Sequence, residues 1–258
     1  MLSEFPGHLA DVASRGDVLW VVVGGDGTVN EVVNGIAGTD AEIALLPCGT
    51  GQDFGRTHGV PDDFDAAVRV ALDGETRAID LGRVECAGGG SRFFANVGSA
   101  GMSGAVARRA NAMTKVFGGR ATFFYALTRE FLAWRNTRVV VELDDGVRRA
   151  GPMHDVIVAN GNWHGGGMKL APDARQDDGA FDVVTIGDVS KLDFVTTAPK
   201  LYSGRYLSHP KVELLRSSSV RIGADEPLPL EVDGEPIGTT PARFEVVPAA
   251  LRVRVPHK

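Results

Sequence analysis

The sequence predicts two domains, an α/β domain over residues 1–80 and an antiparallel β-sandwich over residues 81–258. Three observations indicate this. Continuous apolar runs alternate with helical spacing in the first third of the chain, which is typical of α/β proteins. After about residue 80, many short strand patterns follow one another with turns between them, as in sandwiches and barrels. A length of 258 residues with 43% hydrophobic composition is enough for two cores.

The α/β domain is built from two strand patterns and three helical patterns. The predicted helices are residues 4–13, 29–36 and 62–72, and the predicted strands are residues 18–23 and 43–46. Both strand patterns are continuously apolar, which is typical of parallel strands covered on both faces. Two strands make a thin sheet, since sheets usually have about 4–6. We therefore expect this domain to be truncated at its N-terminus, with a further strand ahead of Met1.

The second domain consists mainly of short strands. The predicted strands are residues 93–97, 139–143, 153–159, 181–186, 212–215, 220–222, 228–232 and 251–255, and the predicted helices are residues 122–135 and 192–202. Asp144-Asp145-Gly146 is predicted to be a hairpin turn. Apolar residues alternate with arginines over residues 251–255, which predicts a sheet with one solvated face.

Composition excludes several classes of protein. The net charge is −6 and basic blocks are absent from the sequence, so a general nucleic-acid binder is not expected. Cys48 and Cys86 form no CxxC and fit a reducing compartment rather than a disulfide scaffold. The histidines have no spacing typical of zinc ligands. No apolar run approaches the roughly 18–20 residues of a membrane span, which predicts a cytoplasmic protein with at most peripheral membrane contact.

Two glycine-rich loops follow the two predicted strands. Gly24-Gly25-Asp26-Gly27-Thr28 joins the first strand to a helix, and residues 46–56 (LPCGTGQDFGR) follow the second strand. Glycines allow backbone N–H groups to approach a phosphate, and a helix N-terminus favours negative charge. Because the carboxyl ends of parallel strands lie at one edge of a sheet, the two loops are expected to be neighbours. Each loop carries an Asp, so the pair predicts a nucleotide site with a metal.

The order of the motifs resembles that of the diacylglycerol kinase catalytic family, which includes sphingosine kinases and soluble bacterial lipid kinases. The matching blocks are GGDGTVNEVVNG at 24–35, LPCGTGQDFGR at 46–56, DLGRV at 80–84, FANVGSAG at 94–101, VAN at 158–160, GGGM at 165–168, APDA at 171–174, DDG at 177–179 and LEVDGEP at 230–236. They cover almost the whole chain. The resemblance implies a three-layer α/β domain and a β-sandwich, as in NAD kinase and diacylglycerol kinase folds, with ATP and lipid in the cleft between them.

The resemblance also implies roles for individual residues. ATP would be held by Ser3, Gly24, Gly25, Asp26, Gly27, Thr28, Glu31 and Thr50. Asp26, Asp53 and Asp80 would form an acidic network with water and Mg²⁺ at the reacting phosphate. Glu235 would be the general base that accepts the proton of the lipid hydroxyl. A second, structural Mg²⁺ would be held by the carboxylate of Asp178 and the backbone carbonyls of Arg175 and Ala180.

Two departures from the family pattern bear on activity. Gln52 stands where the family usually has Asn. The strand and Asn-Pro-x-Ser/Gly-Gly loop with which the family normally begins are absent, together with the following helix and second strand. We expect a weaker ATP clamp and an exposed sheet edge, which favours association into a homodimer.

Three functions compete at this level. The first is an ATP- and Mg²⁺-dependent kinase for the hydroxyl of a diacylglycerol-like membrane lipid, in which the metal supplies positive charge because the loops are poor in Lys and Arg. The second is an NAD kinase, which shares GGDGT, although the GTGQDFGR and LEVDGEP blocks favour the lipid kinase. The third is a catalytically dead lipid-binding or regulatory protein, which would show little binding of ATP.

Overall fold

The computed structural model describes residues 18–88, 90–113 and 119–257, so Ser3 and the predicted helix at 4–13 lie outside the described residues. The strands are β1 Leu19–Gly24, β2 Glu42–Pro47, β3 Glu75–Ala87, β4 Gly90–Phe94, β5 Val97–Gly101, β6 Thr137–Leu143, β7 Arg148–Met153, β8 Asp155–Ala159, β9 Trp163–His164, β10 Met168–Lys169, β11 Phe181–Ile186, β12 Val212–Ser217, β13 Ser219–Ala224, β14 Pro229–Val232 and β15 Glu235–Val255. The helices are α1 Asp26–Ile36, α2 Asp53–Thr57, α3 Phe64–Asp73, α4 Met102–Ala112, α5 Gly119–Ala133 and α6 Lys191–Thr197, followed by 3₁₀ turns at Ala198–Ser203 and Arg205–Ser208.

The α/β layer contains four of the described strands rather than the two that the sequence predicts. β1 pairs parallel with β2, and β2 pairs parallel with the end of β15, where Val253 lies opposite Ile43. The same end of β15 pairs antiparallel with the start of β3. The strand at 251–255 therefore belongs to the α/β sheet, where Leu251, Val253 and Val255 are buried.

The first strand is less buried than its apolar sequence predicts. Val21 is 49% exposed and Val23 is 56% exposed, whereas Val22 is buried. Among the described strands, β1 pairs with β2 alone. One face of β1 packs on the core, and the apolar residues of its other face are open to solvent.

Two long strands run through both halves of the molecule. β3 and β15 pair along nearly their full lengths, with the register shifting between Val247 and Leu251. The predicted domain boundary at residues 80 and 81 falls inside β3, and that boundary stays a prediction.

The sandwich is formed by the strand order β12-β11-β8-β5-β14-β15-β13-β6-β7, with antiparallel pairing throughout this path. Phe94, Phe181 and Phe244 pack together at its centre, with ring centroids of Phe94 and Phe181 5.7 Å apart. The turn at 144–146 joins β6 to β7 as predicted, with Gly146 at φ +82°. Within the described ranges, no helix has both the length and the apolar character needed to span a membrane.

Candidate active site

The two glycine-rich loops lie side by side at the carboxyl ends of β1 and β2. The N–H of Cys48 donates to the carbonyl of Gly24 at 3.0 Å. A Cβ added to Gly49 would lie 2.5 Å from Cα of Gly25, so only glycine permits this approach. Gly27, Thr28 and Thr50 are exposed on these loops. The arrangement predicted from the order of the strands is present.

Asp26 and Asp53 come together at the junction of these loops. Asp26 begins α1, and its Oδ1 accepts a hydrogen bond from the N–H of Phe54 at 2.9 Å. Its Oδ2 lies 2.6 Å from the place of a Cβ on Gly51, and Oδ2 of Asp53 lies 3.9 Å from the same point. Burial raises the pKa of Asp53, and the nearby charge of Asp26 raises it further. The two carboxylates therefore form one acidic cluster.

A third loop closes over Asp53. Its Oδ2 accepts a hydrogen bond from the N–H of Gly166 at 2.7 Å, and its Oδ1 pairs with Arg56 at 2.7 Å. The guanidinium of Arg56 also lies 5.4 Å from the ring centroid of Trp163. Residues 165–167 are three glycines with φ of +63°, +80° and +109°, so the loop uses backbone conformations that other residues rarely adopt.

Asp80 has a different environment from the other two aspartates. Its Oδ1 accepts from the N–H of Ala249 at 2.9 Å and its Oδ2 accepts from the N–H of Gly179 at 2.8 Å. The carboxylate thus joins β3 to β15 and to the loop before β11 through backbone hydrogen bonds. Its membership of an acidic network with Asp26 and Asp53 stays a prediction.

The turn before Glu235 is held by the carboxylate of a half-buried aspartate. Asp233 adopts φ +49°, and its carboxylate accepts from the N–H groups of residues 95–97 at 2.8–3.0 Å and from Nδ2 of Asn30 at 3.0 Å. Because Asn30 is on α1, this carboxylate fastens the sandwich to the helix that begins at Asp26. Glu235 follows, half-buried, with its Oε1 3.9 Å from the place of a Cβ on Gly27. A carboxylate of the sandwich therefore reaches the first turn of α1.

His164, which is half-buried, pairs with the buried Glu231 beside this turn, and the sequence did not indicate this pair. His164 Nε2 lies 3.3 Å from Oε1 of Glu231, whose side chain is 1% exposed. Burial by itself lowers the pKa of His164, but Glu231, Asp53 and Asp233 together outweigh it and raise the pKa to about 9. The Glu within the otherwise apolar segment Leu230–Val232 was the signal in the sequence, because β14 is buried on both faces.

Positive charge at the site is more abundant than the two loops suggest. Arg56 and the imidazolium of His164 both lie close to Asp53. Glu31 is exposed on α1 and pairs with Arg92 at 2.7 Å. The two loops contain Arg56 and no Lys, and the further positive groups, His164 and Arg92, come from distant parts of the chain.

The acidic cluster fits a magnesium ion that shares its ligands with a substrate. Across the described ranges, no group of three or more His, Cys, Asp or Glu side chains forms a closed metal site. Mg²⁺ in kinase sites is usually held by one or two carboxylates with phosphates and water completing the shell. Asp26 and Asp53, which face the same glycine, match that donor set.

The proposed structural Mg²⁺ site has a competing cation. Oδ2 of Asp178 pairs with Arg216 at 2.5 Å, and its Oδ1 accepts from the N–H of Ala180 at 3.3 Å. The guanidinium of Arg175 pairs with Asp177 at 3.0 Å. A guanidinium on the carboxylate does not fit a magnesium shell, so these side chains as arranged do not form one, and this site stays a prediction.

Comparison with known proteins finds similarity to diacylglycerol kinase sequences. The diacylglycerol kinase catalytic domain profile matches residues 4–84, and the profile of the YegS C-terminal NAD kinase beta sandwich-like domain matches residues 96–255. A diacylglycerol kinase of Staphylococcus carnosus strain TM300 is 33% identical over 240 residues, covering 92% of this chain and 76% of the relative.

Solved structures share the fold. A diacylglycerol kinase from Bacillus anthracis strain Sterne superposes with a TM-score of 0.71 and 21% identity, covering 97% of this chain and 80% of that chain. Yeast NADH kinase in complex with NADH gives a TM-score of 0.55 at 15% identity, covering 96% and 64%. The predicted fold, an α/β domain with a β-sandwich of the NAD kinase and diacylglycerol kinase type, is confirmed.

Proposed function

The chain belongs to the diacylglycerol kinase catalytic family, and from this we propose that it transfers a phosphoryl group from ATP to the hydroxyl of a diacylglycerol-like membrane lipid. Membership of a kinase family implies ATP as the phosphate donor. The observation that supports the proposal most is Glu235, whose Oε1 lies beside Gly27 of the phosphate-type loop. A candidate base from one half of the molecule therefore lies close to the predicted nucleotide loop of the other half, which supports the proposal.

Each group at the cleft has a part in the proposed mechanism. The backbone N–H groups of residues 24–28 and the N-terminus of α1 bind phosphate oxygens. Asp26 and Asp53 would hold Mg²⁺, which when bound supplies positive charge to those oxygens. Glu235 accepts the proton of the attacking lipid hydroxyl. Phosphoryl transfer needs mainly positioning and charge, so few further groups are required.

The NAD kinase alternative has less support. The likeness to the yeast NADH kinase is at 15% identity and concerns the fold alone. The relative that is 33% identical is named for diacylglycerol. A comparison of lipid vesicles and NAD as phosphate acceptors separates the two functions directly.

The test of the proposed function uses Glu235→Gln, which keeps size and removes the proton acceptor. Turnover on diacylglycerol vesicles is expected to fall by about 10²–10⁴-fold, as for the loss of a general base. Binding of ATP with Mg²⁺, measured by calorimetry, is expected to stay near that of the parent protein. Glu226→Gln, at an exposed position between β13 and β14, is the matched control and should leave turnover unchanged.

Two outcomes contradict the proposal. If Glu235→Gln keeps more than about a tenth of the parental turnover, the loss lies below the range for a general base and the residue is not one. If the parent binds no ATP and phosphorylates no lipid, the chain is instead a lipid-binding or regulatory relative.

We also propose that α5 and α6 provide the peripheral membrane contact. Phe124 is 70% exposed, Leu132 63% and Leu192 72%, which is high for large apolar side chains. Residues 102–135 carry six Lys or Arg and one acidic residue, in a chain of net charge −6. An apolar surface with basic neighbours fits an anionic lipid bilayer.

The membrane contact predicts a selective effect of Leu132→Ser. Sedimentation with phosphatidylglycerol vesicles is expected to show binding weakened by about ten- to a hundredfold, because one buried leucine contributes roughly 1.5–3 kcal/mol. Leu72→Ser is the control, since Leu72 is 70% exposed on α3, away from α5 and α6. Equal loss of vesicle binding in both variants, or none in Leu132→Ser, would rule out this surface.

A further inference from the structure

We propose that His164 and Glu231 are positioning residues for the phosphoryl transfer reaction. Their pair connects the turn that carries Glu235 to the glycine loop that closes over Asp53. This inference rests on the proposed function, because it assigns Glu235 the role of base. It goes further by giving a function to two residues that lie behind the reacting groups.

Glu231 holds the catalytic turn directly. Its Oε2 accepts a hydrogen bond from the N–H of Gly234 at 2.7 Å, and Gly234 immediately precedes Glu235. Its Oε1 accepts from Oγ of Ser99 at 2.6 Å. Asp233 fixes the other side of the turn, so the backbone on either side of Gly234 is tied to carboxylates.

A register shift in the sheet explains how the side chain of Glu231 can hold the turn before Glu235. The pairing of β14 with β15 shifts register between Leu230 and Glu231. Such bulges re-aim a side chain and occur often next to active sites. A buried carboxylate in an apolar strand is costly unless it is fully paired, and Glu231 has partners for both oxygens.

His164 extends the connection to the nucleotide side. It lies at the end of β9, and the glycine loop at 165–167 follows it directly. Gly166 in that loop donates to Asp53, which belongs to the acidic cluster. The imidazolium of His164 thus lies between Glu231, which holds the turn before Glu235, and Asp53 of the acidic cluster. Both carboxylates compensate its charge.

The consequence is a mechanical link between the two halves of the cleft. If Glu231 or His164 is neutralised alone, its partner loses its nearest opposite charge in a largely desolvated place, and the turn or the glycine loop is expected to move. A displacement of about 1 Å at a reacting group can cost about 10²-fold in rate. Binding of ATP depends on the loops at 24–28 and 50–53. Glu231 hydrogen-bonds Ser99 and Gly234 rather than these loops, and the pair acts on Asp53 through the charge of His164 and the N–H of Gly166.

The experiment compares Glu231→Gln, His164→Gln and the double variant with the parent. Each single variant is expected to lower kcat by about ten- to a hundredfold, with KM for ATP and for lipid changed by less than about twofold. The double variant, which lacks both charges of the pair, is expected to lose less than the two single effects combined, so the changes are non-additive. Hydrogen exchange should become faster in residues 229–240 of Glu231→Gln.

A control separates positioning from general destabilisation. Glu42→Gln breaks the pair with Arg254, 2.9 Å apart in the α/β sheet, and should lower Tm without changing kcat. All rates are measured well below the lowest Tm. The proposal is overturned if Glu231→Gln or His164→Gln keeps kcat within about twofold of an active parent, or if the two effects are strictly additive.

Failure of the proposed function gives a different result. In that case the parent phosphorylates no lipid, and hydrogen exchange is the measurement that tests whether Glu231 holds the turn. Unchanged exchange at residues 229–240 in Glu231→Gln would then show that this carboxylate does not hold the turn.

Discussion

At the scale of single residues, the hydrogen bonds around Asp155 indicate that its carboxyl group is protonated below about pH 7. Oγ of Ser103 lies 2.5 Å from Oδ2 of Asp155 and 2.8 Å from Oγ of Ser99, which donates to Glu231 at 2.6 Å. Two hydroxyl protons cannot serve three oxygen–oxygen contacts. A third proton must come from a carboxyl group at one end of this chain. Burial raises the pKa of Asp155 to about 7, whereas His164 keeps the pKa of Glu231 low despite its burial, so Asp155 carries the proton.

This predicts a specific contribution to stability as a function of pH. The unfolded chain loses the Asp155 proton near pH 3.9, whereas the folded protein keeps it to about pH 7. Between these values the folded state binds more protons, so the free energy of unfolding falls as pH rises, by at most about 1.4 kcal/mol per pH unit. Asp155→Asn should remove this decline, because its amide donates to Ser103 at every pH.

The measurement is urea unfolding of parent and variant across about pH 4 to 8. The difference between the two profiles isolates Asp155, because His58 and His154, whose pKa values burial lowers to about 3 and about 4, titrate equally in both. Parallel profiles would mean that Asp155 is ionised in the folded protein.

The sequence predicted those site residues whose neighbours follow from strand order. The glycine loops and the meeting of Asp26 with Asp53 required only that two parallel strands end at one edge. The pair of His164 with Glu231 joins positions far apart in the chain through β9 and β14, so no local pattern contains it. Pairs of polar residues that lie far apart in the chain could therefore not be predicted from the sequence.

At the scale of elements, short apolar strands were predicted well. The long strand β15 and the helix α4, which is rich in small residues, were not. β11 Phe181–Ile186 has the predicted bounds, whereas β15 Glu235–Val255 was predicted only at its apolar end. Polar residues and prolines interrupt the apolar pattern in the rest of that strand. α4 Met102–Ala112 was missed because Ser, Gly and Ala contribute little periodic hydrophobicity.

The predicted strand at 93–97 is divided for a visible reason. β4 ends at Phe94 and β5 begins at Val97, and the intervening N–H groups donate to Asp233 instead of to a neighbouring strand. An aspartate that lies more than 130 residues away thus terminates the strand. Propensity alone cannot show this, because the competing acceptor is supplied by tertiary structure.

At the scale of the whole molecule, β3 and β15 make the two halves mechanically continuous. Leu251 of β15 is in the core of the α/β layer and Phe244, seven positions earlier, is in the core of the sandwich. Asp80 and Asp233 add hydrogen bonds between elements of both halves. The sharing of strands leaves no linker along which one half could unfold independently.

We therefore expect a single unfolding transition. Leu251→Ala and Phe244→Ala should each create a cavity and destabilise the protein by about 2–5 kcal/mol. One of these two residues lies in each core, but both variants should lower the same calorimetric Tm. When β15 unfolds in one layer, β3 loses its pairing partner there, and because both strands continue into the other layer, that layer is destabilised as well. Ligands that bind at the cleft, including ATP, should raise that same Tm by mass action. Two resolved transitions, each shifted by only one of the variants, would show instead that the layers unfold separately despite their shared strands.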